Sequence, residues 1–103
     1  MEQIKQITFA GFEISGHAGY AEYGQDLVCS SVSVLGISTA NALSSFTDAE
    51  PYVEMKESGY LKVTLGDASS EQGQLLLKAF VLGIESILEN YGETYIHIIY
   101  KEV

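Results

Sequence analysis

The sequence has one cysteine, one proline, no arginine and no long apolar run. A single cysteine cannot form an intramolecular disulfide, so a disulfide-stapled fold is excluded. One cysteine and two histidines offer no recognisable zinc site. No apolar run approaches the roughly 20 residues that a transmembrane helix needs. We therefore expect a domain held together by its core, with no metal, no cofactor and no membrane association.

Basic residues are scarce in this chain. Five lysines stand against 14 acidic residues, which gives a formal net charge of -9. This charge repels phosphate backbones, so we expect no direct contact with nucleic acid. An acidic surface attracts a basic protein and speeds the encounter, although acidity alone also keeps a protein soluble. The charge therefore permits a basic substrate without demonstrating one.

The start of the sequence lacks both a basic segment and an apolar segment of the kind that secretory signals carry. Together with the unpaired cysteine, this predicts a cytoplasmic protein. The 103 residues contain no linker, repeat or low-complexity stretch. We expect a single domain over residues 1–103.

Five short, apolar-rich segments are typical of β-strands: residues 3–9, 12–17, 51–56, 60–65 and 94–100. The first two are separated around Gly11, which predicts a hairpin. Ser58-Gly59 predicts a turn between the third and fourth segments.

Two helices are predicted between these strands. From Gln25 onward, apolar residues recur at steps of three and four, and Asp26 is a good N-cap for that helix. The second helix is an amphipathic run over residues 75–88, opened by Ser69-x-x-Gln72 at capping-box spacing. The order ββαββαβ predicts an α+β, two-layer domain with a mainly antiparallel sheet and both helices on one face.

The chemistry concentrates at one junction of strand and helix. His17 ends the second predicted strand, and Cys29 lies in the first turn of the first predicted helix, after a loop that contains Gly19 and Gly24. A thiol nucleophile acts as the thiolate, and a free cysteine has a pKa of about 8.5. A helix N-terminus and a neighbouring imidazolium both lower that pKa. Since the twelve residue steps from His17 to Cys29 are enough for the chain to fold back, the pattern is compatible with a Cys–His pair.

The residues alone leave several alternatives open. A lone cysteine is more often a small buried hydrophobic residue than a nucleophile. Asp26 either caps the helix or orients His17, as the third member of a triad does. Ser33 shares a helical face with Cys29, although a serine within a helix commonly bonds the preceding turn. His97, between two isoleucines of the last predicted strand, is better explained as a structural or surface residue.

The segment over residues 16–33 resembles one known family. The resemblance lies in two strings: Gly16-His17-Ala18-Gly19-Tyr20-Ala21, and Gly24-x-Asp26-x-Val28-Cys29-Ser30-x-Val32-Ser33. They resemble the motif of the ribosomal-processing cysteine proteases of bacteria, including the separation of histidine and cysteine. The chain length and the order ββαββαβ are also similar to that family. Ser30-Ser31 departs from the alanines or glycine that relatives often have, which bears on packing more than on chemistry.

The resemblance implies a function and roles for residues. Family members form homodimers and remove the N-terminal extension of a large-subunit ribosomal protein. By position, Cys29 is the nucleophile, His17 is the base, and Asp26 and Ser33 are supporting residues. The loop between histidine and cysteine is a candidate gate over the substrate, with four residues singled out: Gly19, Tyr20, Tyr23 and Gly24.

Two alternatives belong to other functional classes. The first is a non-catalytic module that binds a basic ribosomal protein during ribosome assembly, in which Cys29 is incidental. The second is a redox-sensing thiol, which an activated cysteine would also allow.

Overall fold

A computed structural model describes residues 7–15, 23–56, 60–91 and 97–103, without the side chains at positions 23–29, 91 and 97. Within these residues the elements follow the order βαββαβ: β1 (Phe9–Ser15), α1 (Tyr23–Phe46), β2 (Pro51–Lys56), β3 (Tyr60–Leu65), α2 (Glu71–Tyr91) and β4 (His97–Glu102). Most of the first predicted strand, at residues 3–6, lies outside the described residues.

The strands form an antiparallel sheet in the order β2-β3-β1-β4. β1 is central, with Phe12 opposite Val63 of β3 and Tyr100 of β4. Because β3 and β4 flank β1, the end of β1 that leads to residue 16 is held on both sides. Within the described part of the chain, β2 and β4 are the edge strands.

Phe12 shows that both helices cover the same face of the sheet. Its ring stacks on Phe80 of α2, with the centroids 4.0 Å apart. It also lies beneath α1, where a Cβ added at Gly36 would meet Phe12, Ile14 and Leu61. The α+β two-layer prediction, with an antiparallel sheet and two helices, is therefore confirmed.

The core lies between the sheet and the two helices. It is formed by alternate residues of β1 and β3 together with the inward faces of the helices: Phe9, Phe12, Ile14, Val32, Ala40, Leu43, Ala49, Leu61, Val63, Leu65, Leu77, Phe80, Val81 and Ile84. The opposite face of the sheet carries charged residues, among which Lys101 Nζ lies 3.9 Å from Glu13 Oε2.

Gly11 lies inside β1, so the predicted separation of two strands around it is wrong. The register against β4 shifts between Phe9 and Gly11, which makes a β-bulge. A Cβ at Gly11 would collide with the carbonyl oxygen of Val63, so only glycine allows β3 to approach this closely. The glycine therefore marks a bulge and not a turn.

Gln74 of α2 holds the bulge from outside the sheet. The Phe9 N–H donates to Gln74 Oε1 at 2.8 Å, and Gln74 Nε2 donates to the Phe9 carbonyl at 2.7 Å. Gln74 Nε2 also donates to the carbonyl of Ala68 at 2.8 Å. One amide side chain thus gives the backbone of Phe9 the partners that a strand would otherwise supply.

Both helices begin at residues other than those predicted. α1 begins at Tyr23, so Asp26 lies within its first turn and the prediction that Asp26 is the N-cap is wrong. α2 is capped by Ser70, whose Oγ accepts the Gly73 N–H at 3.0 Å and donates to Asp48 Oδ1 at 2.6 Å. The capping box predicted at Ser69 is therefore displaced by one residue.

Candidate active site

The N-terminal half of α1 lies at the end of the sheet where β1 finishes. α1 ends at Phe46, and four residues separate it from Pro51, where β2 begins opposite Leu65. The helix therefore runs from the other end of the sheet, where Lys56 pairs with Tyr60. At that same end, β1 reaches Ser15 and the chain continues towards His17.

A groove of about 100 Å³ opens at this end of the domain. Its floor is formed by Ile14 and Leu61, which are nearly fully buried, and its walls by Ile37 of α1 and Met55 of β2. Ser33 lines the groove on the helix side, one turn before Ile37. The groove therefore lies between the end of β1, the end of β2 and the N-terminal half of α1.

Helical spacing relates Cys29 to this groove. Cys29 lies in the second turn of α1, four residues before Ser33 and seven before Gly36. Residues at these separations share a helical face, and four residues rise about 6 Å along the axis. Asp26 precedes Cys29 by three residues and shares the same face. The backbone of α1 therefore brings Asp26, Cys29 and Ser33 to one face, which continues into the groove.

The remaining predicted site residues divide into two groups. His17, Gly19 and Tyr20 lie outside the described residues, and so does the side chain of Cys29. Tyr23 and Gly24 are the first two residues of α1, so their predicted place in the loop is wrong. Cys29 is correspondingly in the second turn and not, as predicted, in the first.

Tyr60 and Lys56 form the rim of the groove on the sheet side. A hydrogen bond with the Glu13 carboxylate is the largest of the effects that raise the pKa of Tyr60 to about 12. Lys56 Nζ lies 5.0 Å from the centroid of the Tyr60 ring, within cation–π range. Tyr60 is therefore neutral near pH 7 and is held between a carboxylate and an ammonium group.

The sequence reasoning missed the groove-lining residues Ile37, Met55 and Tyr60. All three belong to predicted elements, and no motif distinguishes them in the sequence. Ile37 is 38% exposed and Met55 is 60% exposed, because β2 is an edge strand and α1 does not cover it fully.

A second groove, of about 540 Å³, lies on the other flank of α1, between the two helices. It is lined by Ser30, Val34, Gly83 and Ile87, among others. Val34 is 63% exposed and lies next to Ser33 in sequence but points away from the first groove. One flank of α1 therefore borders the groove beside the sheet, and the other flank borders the groove between the two helices.

The described residues contain neither a candidate metal site nor a helix that could span a membrane. Among them, no group of three or more histidine, cysteine or acidic side chains is placed to hold a metal ion. No helix of the described residues is both long and apolar enough to cross a membrane.

Comparison with known proteins gives consistent matches. A family model described as cysteine protease Prp matches residues 2–97. The ribosomal processing cysteine protease Prp of Bacillus subtilis is 33% identical over 87 residues, which are 80% of this chain and 78% of that protein.

Two solved structures of the essential ribosomal processing protease Prp from S. aureus are also similar. One, in complex with a covalently linked product peptide, is 28% identical with a TM-score of 0.70 and covers 82% of this chain and 81% of its own. The other, in complex with a substrate peptide, is 27% identical with a TM-score of 0.75 and the same coverage.

Proposed function

This chain belongs to the cysteine protease Prp family, and from that premise we propose that Cys29 is its nucleophile and His17 its general base. The chain is accordingly a cysteine protease, a hydrolase of peptide bonds. One observation carries the assignment of residues. The groove is lined both by Ile14, three residues before His17, and by Ser33, four residues after Cys29. The described residues that flank the proposed pair thus line one groove at one end of the domain, which supports the proposal.

The proposed reaction is acyl transfer in two steps. The Cys29 thiolate attacks the peptide carbonyl carbon, the C–N bond breaks, and the His17 imidazolium donates its proton to the leaving amine. Water, deprotonated by His17, then attacks the thioester and releases the carboxylate product and the thiolate. Because the N–H groups of the second helical turn are paired within α1, the candidates for stabilising the oxyanion are N–H groups of its first turn or of the preceding residues.

The position of Cys29 in α1 determines how much of the stabilisation of its thiolate comes from the helix and how much from His17. The influence of a helix dipole falls off within the first turn, and Cys29 lies in the second. His17 must therefore supply most of the stabilisation of the thiolate. Since Asp26 is not the N-cap, we assign it the other role, that of orienting His17. Ser33 is a supporting residue beside the pair, and Gly19 and Tyr20 belong to the gate over the substrate.

The proposed substrate is the N-terminal extension of a large-subunit ribosomal protein. The names of the relatives describe ribosomal processing. Ribosomal proteins are basic, and the net charge of -9 favours their approach. We further propose a cytoplasmic homodimer that contacts the protein and not the nucleic acid of the ribosome, since the same charge repels phosphate.

The test is cleavage of a synthetic peptide that spans the junction between the extension and the mature protein, followed by mass spectrometry of both fragments. Cys29→Ala should abolish cleavage while retaining peptide binding, and His17→Ala should slow it by about 10²–10⁴-fold. Ser44→Ala, at an exposed position on α1, is the matched control and should cleave normally. Cleavage by Cys29→Ala at the wild-type rate would contradict the assignment of the nucleophile, whereas binding without cleavage by the wild type would favour the non-catalytic module.

A further inference from the structure

The groove beside the proposed catalytic pair is apolar and partly open. Ile37 and Met55 expose 38% and 60% of their surfaces there, above a floor of Ile14 and Leu61. We propose that this groove receives one apolar side chain of the peptide substrate, about two or three residues from the scissile bond, and that Ile37 and Met55 determine the size it accepts. This inference rests on the proposed function, because it places the reacting bond at Cys29.

The separation between groove and nucleophile follows from helix geometry. Ser33, on the wall nearest the helix start, lies about 6 Å along the axis from Cys29, and Ile37 lies about 12 Å from it. An extended peptide advances about 3.3 Å per residue. A side chain that enters the groove between Ser33 and Ile37 therefore belongs to a residue about two or three positions from the carbonyl that Cys29 attacks.

The chemistry of the lining selects an apolar side chain. The side chains of Ile14, Leu61 and Ile37 offer no hydrogen-bonding group, and the thioether of Met55 is only a weak acceptor. A polar or charged side chain would lose its hydration without a replacement partner on the floor. The volume of about 100 Å³ is below the cavity of about 150 Å³ that accommodates benzene, so the groove suits a branched aliphatic side chain or an aromatic ring that uses the open mouth.

The strand beside the groove offers a way to hold the peptide. Within the described residues β2 pairs with β3 alone, so its other edge has unpaired backbone groups. An extended peptide can add to such an edge, with main-chain hydrogen bonds for affinity and side-chain pockets for selectivity. Met55 belongs both to this edge strand and to the wall of the groove, so a peptide bound along β2 passes the groove.

The larger groove on the other flank of α1 serves as the control surface. Val34 is exposed there, in the same helix and one residue from Ser33. Its direction differs from that of Ser33 by about 100° around the helix axis. A substitution at Val34 therefore tests whether bulk anywhere on α1 disturbs cleavage, without entering the proposed subsite.

The first experiment compares kcat/KM for junction peptides in which each residue within three positions of the scissile bond is changed in turn to Leu, Ala or Asn. We expect one position at which Leu exceeds Asn by at least about tenfold. Ile37→Trp and Met55→Trp fill the groove and should remove that preference, whereas Val34→Trp should retain it. Ile37→Ala and Met55→Ala enlarge the groove and should shift the preference from Leu towards Phe. Unfolding temperatures of all variants identify any loss of folding.

The second experiment observes the groove directly. The chain has two methionines, so ¹³C-methyl labelling gives one signal from Met55 and one from Met1 as an internal reference. In the Cys29→Ala variant, the Leu peptide should shift the Met55 signal, and the Asn peptide at the same concentration should not. A Met55 signal that moves on dilution without peptide would indicate that a second copy of the chain occupies the groove and would overturn the inference.

The two experiments separate failure of the inference from failure of the proposed function. If the peptides are cleaved but neither the tryptophan variants nor the Met55 signal responds, the groove is not a subsite, although the protease assignment stands. If no peptide is cleaved, the protease assignment fails on this substrate. An unmoved Met55 signal then rejects the groove as well, and a selective shift supports it as a peptide-binding site.

Discussion

Ile14 of β1 and Ser33 of α1 line the same groove, at the end of the sheet where β1 finishes. Each is a near neighbour in sequence of one member of the proposed pair, and neither is itself a reacting group. The central strand positions Ile14, and a helix packed on the sheet positions Ser33. In a catalytic pair beside them, Cys29 would be positioned by helix α1, and His17 would follow Ile14 of β1 by only three residues.

The first prediction concerns the reactivity of Cys29. It should react with iodoacetamide at neutral pH faster than free cysteine does, because an adjacent imidazolium increases the thiolate fraction. His17→Ala should reduce the rate by about tenfold or more. Since Cys29 is the only cysteine, the mass increase on alkylation reports on it alone. Equal rates in the wild type and His17→Ala would reject the activated pair.

The second prediction concerns ionic strength. If the charge of -9 draws in a basic substrate, kcat/KM for a lysine-rich junction peptide should fall several-fold as the salt concentration rises from about 0.02 to 0.3 M. A matched peptide with acetylated lysines should show little change over the same range. A salt-independent rate for the lysine-rich peptide would leave the acidity with a role in solubility only.

The third prediction concerns the anchor of the β-bulge. Gln74→Ala removes the partners of both backbone groups of Phe9, a residue that is 3% exposed. Leaving buried backbone groups unpaired should lower the free energy of unfolding by about 1–3 kcal/mol, measured by urea denaturation. Gln72→Ala, exposed on the same helix, is the control and should change it by less than about 0.5 kcal/mol. Similar effects in the two variants would show that Gln74 has no special role.

The sequence predicted the second strand pair well and the first one poorly, for a physical reason. The predicted bounds 51–56 and 60–65 are those of β2 and β3, because alternation and a turn signal are local. Gly11 was taken for a break between strands, because a glycine in a strand pattern fits a turn or a bulge equally well. What decides between them is Gln74, a partner 65 residues from Phe9 along the chain. No local pattern carries that contact.

The candidate site, like the sheet, was predicted from the sequence only where the signal lies within a short segment. The motif around Cys29 was visible because helix spacing and residue chemistry are properties of a short segment. The apolar groove was not, since the exposure of Ile37 and Met55 depends on the sheet order, which places β2 at an edge. The start of α1 was misjudged because Tyr23 and Gly24 are weak helix formers that continue a helix stabilised elsewhere by packing.

The fourth prediction concerns Tyr60 at the rim of the groove. Its pKa is raised from 10.0 to about 12, first by the hydrogen bond with Glu13 and then by burial and by the charges of Glu13 and Glu54. Because the folded state favours the neutral phenol, its contribution to stability is complete below pH 10 and disappears as the pH rises from 10 towards 12. Glu13→Gln removes the main carboxylate and should return the pKa of Tyr60 most of the way to 10.0.

The measurement is the pH dependence of the tyrosine ring ¹³C signals, with Tyr60→Phe to assign the resonance. Tyr100, whose pKa is also raised to about 12 but chiefly by burial, is the internal control and should not respond to Glu13→Gln. A Tyr60 pKa that stays near 12 in Glu13→Gln would show that the carboxylate is not what holds the phenol neutral.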